Sequence, residues 1–182
     1  CDLIANQSVR IIKEEGADAV KFMLYYDPEE PDAINDKKKA FVERVGAETK
    51  AYGLAFFLEV VTYDGSMDSV KSEEYAKIKP KKVFMTMEEF SKPQYEVTVL
   101  KVEVPFNIHY VAGFNGDNKA LYTVDEAKAM FKKQSDLTDL PYIFLSAGVT
   151  SEEFIAELKM AEEAGAEFNG VLCGRATWKP SI

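Results

Sequence analysis

The chain has 182 residues, 47% hydrophobic and 12% aromatic, enough apolar material for one well-packed domain. Its net charge of -9 argues against a nucleic-acid or membrane-surface partner, because both need a basic footprint, and no apolar run approaches the ~20 residues of a membrane span. Cys1 and Cys173, the two cysteines, lack metal-like spacing and fit free thiols in a reducing compartment, so a cytoplasmic location is expected.

Residues 8–15 predict a short helix closed at Gly16, where glycine can take the left-handed conformation. Residues 19–25 follow as a strand, broken by Asp27-Pro28. A long amphipathic helix fits 32–52, with Ile34, Phe41, Val42 and Val45 as its apolar stripe, and 55–62 is the next strand. The stretch 63–94 exceeds an ordinary connection. Within it 65–72 is loop-like, Lys79-Pro-Lys-Lys82 reads as solvated surface, and 83–90 reads as helix. Residues 98–105 form a strand, and His109, the only histidine, is placed on a surface loop. Thr123 caps a helix over 124–133. Residues 142–146 are a strand closed by Ala147-Gly148, and Thr150 or Ser151 caps a helix to Ala164 with Glu152 and Glu153 in its first turn. Residues 169–173 form a short strand running into Gly174-Arg175.

Five strand runs separated by helices imply a parallel sheet with right-handed crossovers. Polar side chains at the strand ends suit an α/β (β/α)8 TIM barrel, and the glycine-rich fingerprints of nucleotide folds are missing. A complete barrel has eight strands and typically about 250 residues. Residues 1–182 are therefore expected to be a single incomplete barrel domain, an internal segment carrying roughly the last five strands. Cut at these boundaries alone, it would expose sheet edges and be poorly folded or inactive.

Strand alternation carries the functional reading. In 98–105, Val99, Lys101 and Glu103 share one face, while Leu100, Val102 and Val104 form the apolar face expected under helices. Lysine and glutamate are rarely buried unless they are paired or functional. Lys21 shares a face with Met23 and Tyr25, Glu59 with Phe57 and Val61, and Ser146 with Phe144 and Tyr142. Arg175 continues the parity of Val171 and Cys173. An amine attacks a ketone only when neutral, and desolvation or a second cation helps free it of its proton. Lys101 is the candidate nucleophile and Lys21 the candidate second cation. The proton-moving carboxylate is Glu59, with Glu103 as second choice. Ser146, Gly148, Gly174 and Arg175, at the ends of the last two strands, are placed to bind a phosphate. One histidine and no clustered ligands leave a metal site without support, and no cofactor is expected. Trp178 and the run Phe22 to Tyr26 are assigned to packing and Lys37-Lys-Lys39 to a solvated face, while Cys173 falls near the site with nothing nearby that marks it as an activated thiolate.

Five strings resemble the class I tagatose 1,6-bisphosphate aldolases: KEEGADAVKF from Lys13, FLEVVTYD from Phe57, VLKVEVP from Val99, LSAGV from Leu145 and NGVLCGRATW from Asn169. The resemblance spans nearly the whole chain. It implies a (β/α)8 barrel and reversible cleavage of D-tagatose 1,6-bisphosphate to dihydroxyacetone phosphate and D-glyceraldehyde 3-phosphate, with fructose 1,6-bisphosphate as a second substrate. It places the Schiff-base lysine at Lys101, the proton-shuttling glutamate at Glu59, an accessory lysine at Lys21, and phosphate contacts at Ser146 and Arg175. The Asp-Gln-Arg run of that family's first strand has no counterpart here. A sugar-phosphate-binding regulatory protein on the same scaffold is the alternative, since fold does not fix function. A homo-oligomer is compatible with either.

Overall fold

A computed structural model of the chain describes residues 6–172 together with Gly174. Helix α1 (Val9–Glu14) starts where the Ser8 hydroxyl accepts from the Ile11 amide, and the chain reverses at Gly16 (φ 85°). Then β1 (Ala19–Tyr26), α2 (Asp32–Tyr52), β2 (Ala55–Thr62), α3 (Glu73–Phe90), β3 (Val99–Glu103), α4 (Val124–Ser135), β4 (Tyr142–Leu145) and α5 (Ser151–Glu163) alternate along the chain. Helices α4 and α5 each begin with a complete capping box, Thr123 with Glu126 and Thr150 with Glu153.

The four strands are parallel and lie in sequential order β1-β2-β3-β4. That order, with a helix in each crossover, is how the wall of a (β/α) barrel is built. The core lies on the helix side, where Leu24, Phe56, Leu58, Leu100, Val102 and Phe144 are buried and α3 and α4 add Met87, Phe90 and Phe131. Phe106, Phe131, Phe144 and Tyr142 continue through it as a chain of edge-on rings with centroids 5.1–5.5 Å apart. The opposite face carries Lys21, Met23 and Tyr25 from β1, and Met23 and Tyr25 are exposed.

Residues 169–172 run beside β4 as a fifth, shorter segment. Asn169 N–H donates to Tyr142 O, Phe144 N–H to Gly170 O and Leu172 N–H to Phe144 O, with one parallel bridge between Phe144 and Val171. Gly170 (φ 150°) interrupts the strand geometry expected over 169–173.

The helix expected at 83–90 begins ten residues earlier. Pro80 lies inside α3 and lacks the amide that would bond to the Ala76 carbonyl, a vacancy that normally ends a helix. Here the Tyr122 hydroxyl donates to Ala76 O at 2.9 Å instead, so the helix passes through the proline. Of Lys79-Pro-Lys-Lys82 only Lys81 is solvated surface, since Lys79 and Lys82 are buried. On α2 the buried line is Asn35, Val42, Gly46 and Thr49, while Ile34 is exposed. A Cβ at Gly46 would stand 2.0 Å from the Tyr95 carbonyl oxygen, which explains a glycine mid-helix.

Candidate active site

Three charged side chains from three neighbouring strands meet on the face away from the helices. In-register pairing sets Glu59 opposite Lys101 and Met23 opposite Glu59, which leaves Lys21 one pleat away on the same face. One Glu59 oxygen lies 2.8 Å from Lys101 Nζ, and the other lies 2.6 Å from Lys21 Nζ. The Lys101 and Glu59 side chains are each 10% exposed, whereas Lys21 is 47% exposed. Burial alone would push the Glu59 carboxyl up. The Lys101 and Lys21 ammonium groups outweigh it and hold the group below the usual carboxylate range. The resting arrangement is thus one carboxylate shared by two ammonium groups.

Glu103, the second choice as proton carrier, is engaged differently. One oxygen accepts from both the amide and the hydroxyl of Thr62 at 2.6 Å, and the other lies 3.6 Å from Lys79 Nζ. Lys79 also donates to the Phe106 carbonyl at 3.1 Å. Behind it, Glu157 of α5 is 3% exposed, and burial pushes its carboxyl up to about 8 against the pull of Lys79.

The structure places the remaining candidates unevenly. Gly148 (φ 82°) and Ala147 (φ 48°) form a left-handed turn between β4 and α5, closed by Val149 N–H on Ser146 O, and Ser146 is buried at its start. The register corrects the face assigned to this strand. Lys101 pairs with Ile143 and Val102 with Phe144, so Tyr142 and Phe144 lie on the helix-covered face, not with Lys101. Ser146 shares their parity and is set instead by the turn. Gly174 is exposed, and Arg175, Cys173 and Trp178 lie outside the described residues. His109 sits in a short 3-10 turn, its side chain 47% exposed and 3.6 Å from Glu153.

A second charged cluster escaped the sequence reading. Lys82 of α3, with no exposed side-chain area, lies 2.5 Å from Asp27, 3.0 Å from Asp64 and 3.2 Å from Glu29. Beside it Lys38 bridges Glu30 (2.6 Å) and the Tyr63 hydroxyl (2.8 Å), so only part of the 37–39 run is a solvated face. The signal was present, because Tyr75, Ala76, Lys79, Lys82, Val83, Thr86, Met87 and Phe90 form one continuous stripe at helical spacing. Both lysines fall within it.

The family model described as DeoC/LacD family aldolase matches residues 2–180. Tagatose 1,6-diphosphate aldolase 1 of Enterococcus faecalis is 55% identical over 96% of this chain and 53% of its own length. Tagatose 1,6-diphosphate aldolase of Staphylococcus aureus is 52% identical over all of this chain and 55% of its own. The chain spans about half the length of these curated relatives. Among solved structures, a Schiff-base-forming fructose-1,6-bisphosphate aldolase superposes with a TM-score of 0.63 at 19% identity, covering 97% of this chain and 58% of that one. An archaeal fructose 1,6-bisphosphate aldolase does so with 0.63 at 18%, covering 97% and 57%. At those identities the likeness is one of fold. The sheet described above is part of such an α/β barrel.

Proposed function

Because the chain belongs to the DeoC/LacD aldolase family, we propose that the whole protein is a Schiff-base aldolase that cleaves D-tagatose 1,6-bisphosphate reversibly to dihydroxyacetone phosphate and D-glyceraldehyde 3-phosphate. Fructose 1,6-bisphosphate, an epimer with the same reacting groups, is a second substrate. The observation that carries the reading is the Glu59 carboxylate shared by Lys101 and Lys21. Two cations around one anion mean that Lys101 can give up its proton and leave a balanced Lys21–Glu59 pair behind. That charge count is what an amine nucleophile needs.

The reaction then follows from the groups present. The neutral Lys101 amine adds to the C2 ketone, and loss of water gives an iminium. Glu59 accepts the proton of the C4 hydroxyl as the C3–C4 bond breaks. The bonding pair flows into the iminium to give an enamine, and the aldehyde leaves. Protonation of the enamine at C3 and addition of water release dihydroxyacetone phosphate and restore the amine. The iminium is the electron sink, so neither metal nor cofactor has a step to perform. Ser146, Gly148, Gly174 and Arg175 are assigned to the substrate's phosphates, with the backbone turn at 146–149 as the anion-facing element.

The acidic balance of the chain argues against a nucleic-acid partner, and two cysteines without metal-like spacing fit a cytoplasmic place of work. No helix among the described residues is long and apolar enough to cross a membrane. The domain is proposed to be one barrel to which residues 1–182 contribute about half, and a homo-oligomer is compatible with it.

The test is borohydride reduction of the full-length protein with dihydroxyacetone phosphate, followed by peptide mass analysis. A reduced adduct on the Lys101 peptide is expected. A protein that turns over tagatose 1,6-bisphosphate without any lysine adduct would overturn the mechanism. Binding without turnover would favour the regulatory alternative.

A further inference from the structure

The ladder between β2 and β3 is short. It pairs Phe57 with Val99, Leu58 with Leu100 and Glu59 with Lys101, and goes no further, although β2 continues to Thr62 and β3 to Glu103. Backbone pairing therefore stops at the two residues on which the chemistry falls. Beyond that point the strands are joined by a side chain, the Glu103 carboxylate, which takes the Thr62 amide and hydroxyl at 2.6 Å each. Without it a buried strand amide would have no acceptor.

The tie is itself braced from the helix layer. The Tyr75 hydroxyl of α3 donates to Thr62 Oγ1 at 2.8 Å, and Lys79 of the same helix faces the second Glu103 oxygen. The Gln134 amide of α4 donates to the Glu103 carbonyl at 2.9 Å. Glu103 is 7% exposed, and groups from β2, α3 and α4 fix its side chain and backbone. A proton carrier needs an oxygen free to meet a substrate hydroxyl. Here one oxygen already accepts two hydrogen bonds and the other faces an ammonium.

We propose that Glu103 is a positioning residue: its bond to Thr62 stands in for the missing end of the ladder and sets the approach of Lys101 to Glu59. The inference rests on the Schiff-base reading above. Splaying the strand ends by about 1 Å would lose on the order of a hundredfold in rate, because nucleophile and carboxylate must both reach one carbonyl carbon and its neighbouring hydroxyls.

The experiment measures, in the full-length protein, the rate of borohydride trapping on Lys101 together with kcat and KM for cleavage. Glu103→Leu keeps the bulk and removes the acceptor. It should slow trapping and kcat together by about a hundredfold, with KM changed less than about threefold. Glu103→Gln keeps an acceptor oxygen for Thr62 and should recover at least about tenfold of both rates. A folded Glu103→Leu protein with wild-type trapping and kcat would overturn the inference and leave Glu103 a purely structural group. Glu103→Leu and Glu103→Gln equally inactive in cleavage, yet trapped at the wild-type rate, would overturn it in favour of proton transfer. If Glu103→Leu does not fold, Thr62→Val against Thr62→Ser decides, since only serine keeps the hydroxyl; equal rates would sink the proposal. A wild-type protein that is never trapped at Lys101 fails the Schiff-base reading itself, whereas wild-type trapping with unaltered variants fails only this inference.

Discussion

Lys101 and Lys82 are both buried lysines beside carboxylates, and they differ in what surrounds the ammonium. At Lys101 one carboxylate serves two cations, and the second cation reaches solvent. At Lys82 three carboxylates, Asp27, Asp64 and Glu29, surround one cation with no exposed area. Burial would lower the Lys82 pKa, but the three carboxylates outweigh it and hold the group above the ordinary lysine value. A lysine so outnumbered by anions keeps its proton and serves as a pin, here joining the loop after β1 to the loop after β2. Lys101 instead shares the Glu59 carboxylate with Lys21, so cations outnumber anions around it among the described residues. Burial alone does not separate the two roles; the local ratio of charges does.

The sharpest way to break this contrast is at the two lysines. Lys101→Arg keeps the charge but cannot form an imine, so kcat should fall by at least about 10,000-fold with the fold intact, as steady-state kinetics and a thermal melt would show. Lys82→Met should leave three carboxylates facing one another and destabilise the protein by about 3–5 kcal/mol in denaturant titration. Trapping per folded molecule should remain near wild type. If Lys82→Met instead abolished trapping in a folded protein, the pin would belong to the chemistry after all.

Smaller changes sharpen the comparison. Lys21→Met equalises the site to one cation and one anion, and kcat near neutral pH should drop by roughly tenfold to a hundredfold. The acid limb of its pH–rate profile should move to higher pH, because the remaining positive charge is held more tightly. An unmoved profile would deny Lys21 its electrostatic part. Glu157→Gln should have the mildest effect on catalysis, and its signature is in stability against pH. With the folded carboxyl raised to about 8 from 4.5, the native state holds a proton that the unfolded chain has lost. Wild-type stability is therefore fully present below pH 4.5 and declines as pH rises towards 8. The glutamine variant lacks that decline and should gain on the order of 4 kcal/mol over wild type at pH 8 relative to pH 4, measured by paired melts. A flat difference across that range would mean the carboxyl ionises normally in place.

Much of this was legible in the sequence because it depends on period. The parity of Val99, Lys101 and Glu103 against Leu100, Val102 and Val104 needs only the two-residue repeat of a strand, and the register of β3 with its neighbours follows it although both faces are buried. Both ends of α2 and of β2 match their sequence-predicted bounds. What was not legible depended on partners distant in sequence. Pro80 reads as a helix stop until Tyr122, far along the chain, supplies the missing donor. Lys79 and Lys82 read as surface until Asp27, Asp64 and Glu103 are brought to them. The face of Ser146 was misassigned because alternation ends with β4 at Leu145, and a turn with two positive φ angles follows.

The other end of the β2–β3 pair is tied as well. Thr98 exchanges two bonds with Phe56, its hydroxyl accepting from the Phe56 amide at 3.0 Å and its own amide donating to the Phe56 carbonyl at 2.9 Å. With Glu103 on Thr62 at the far end, the chain between Thr98 and Glu103 is a ruler with both ends fixed. One residue inserted or deleted inside it would exchange Lys101 with Leu100 or Val102, burying the amine among hydrocarbons and turning an aliphatic group towards the substrate. Length variation in this part of the protein must therefore fall elsewhere. The exposed loop after the Val111–Tyr122 bridge begins has its ends pinned by Ala112 N–H on Tyr122 O and Leu121 N–H on Tyr110 O. There, added residues would bulge into solvent without touching the frame in which Lys101 is read.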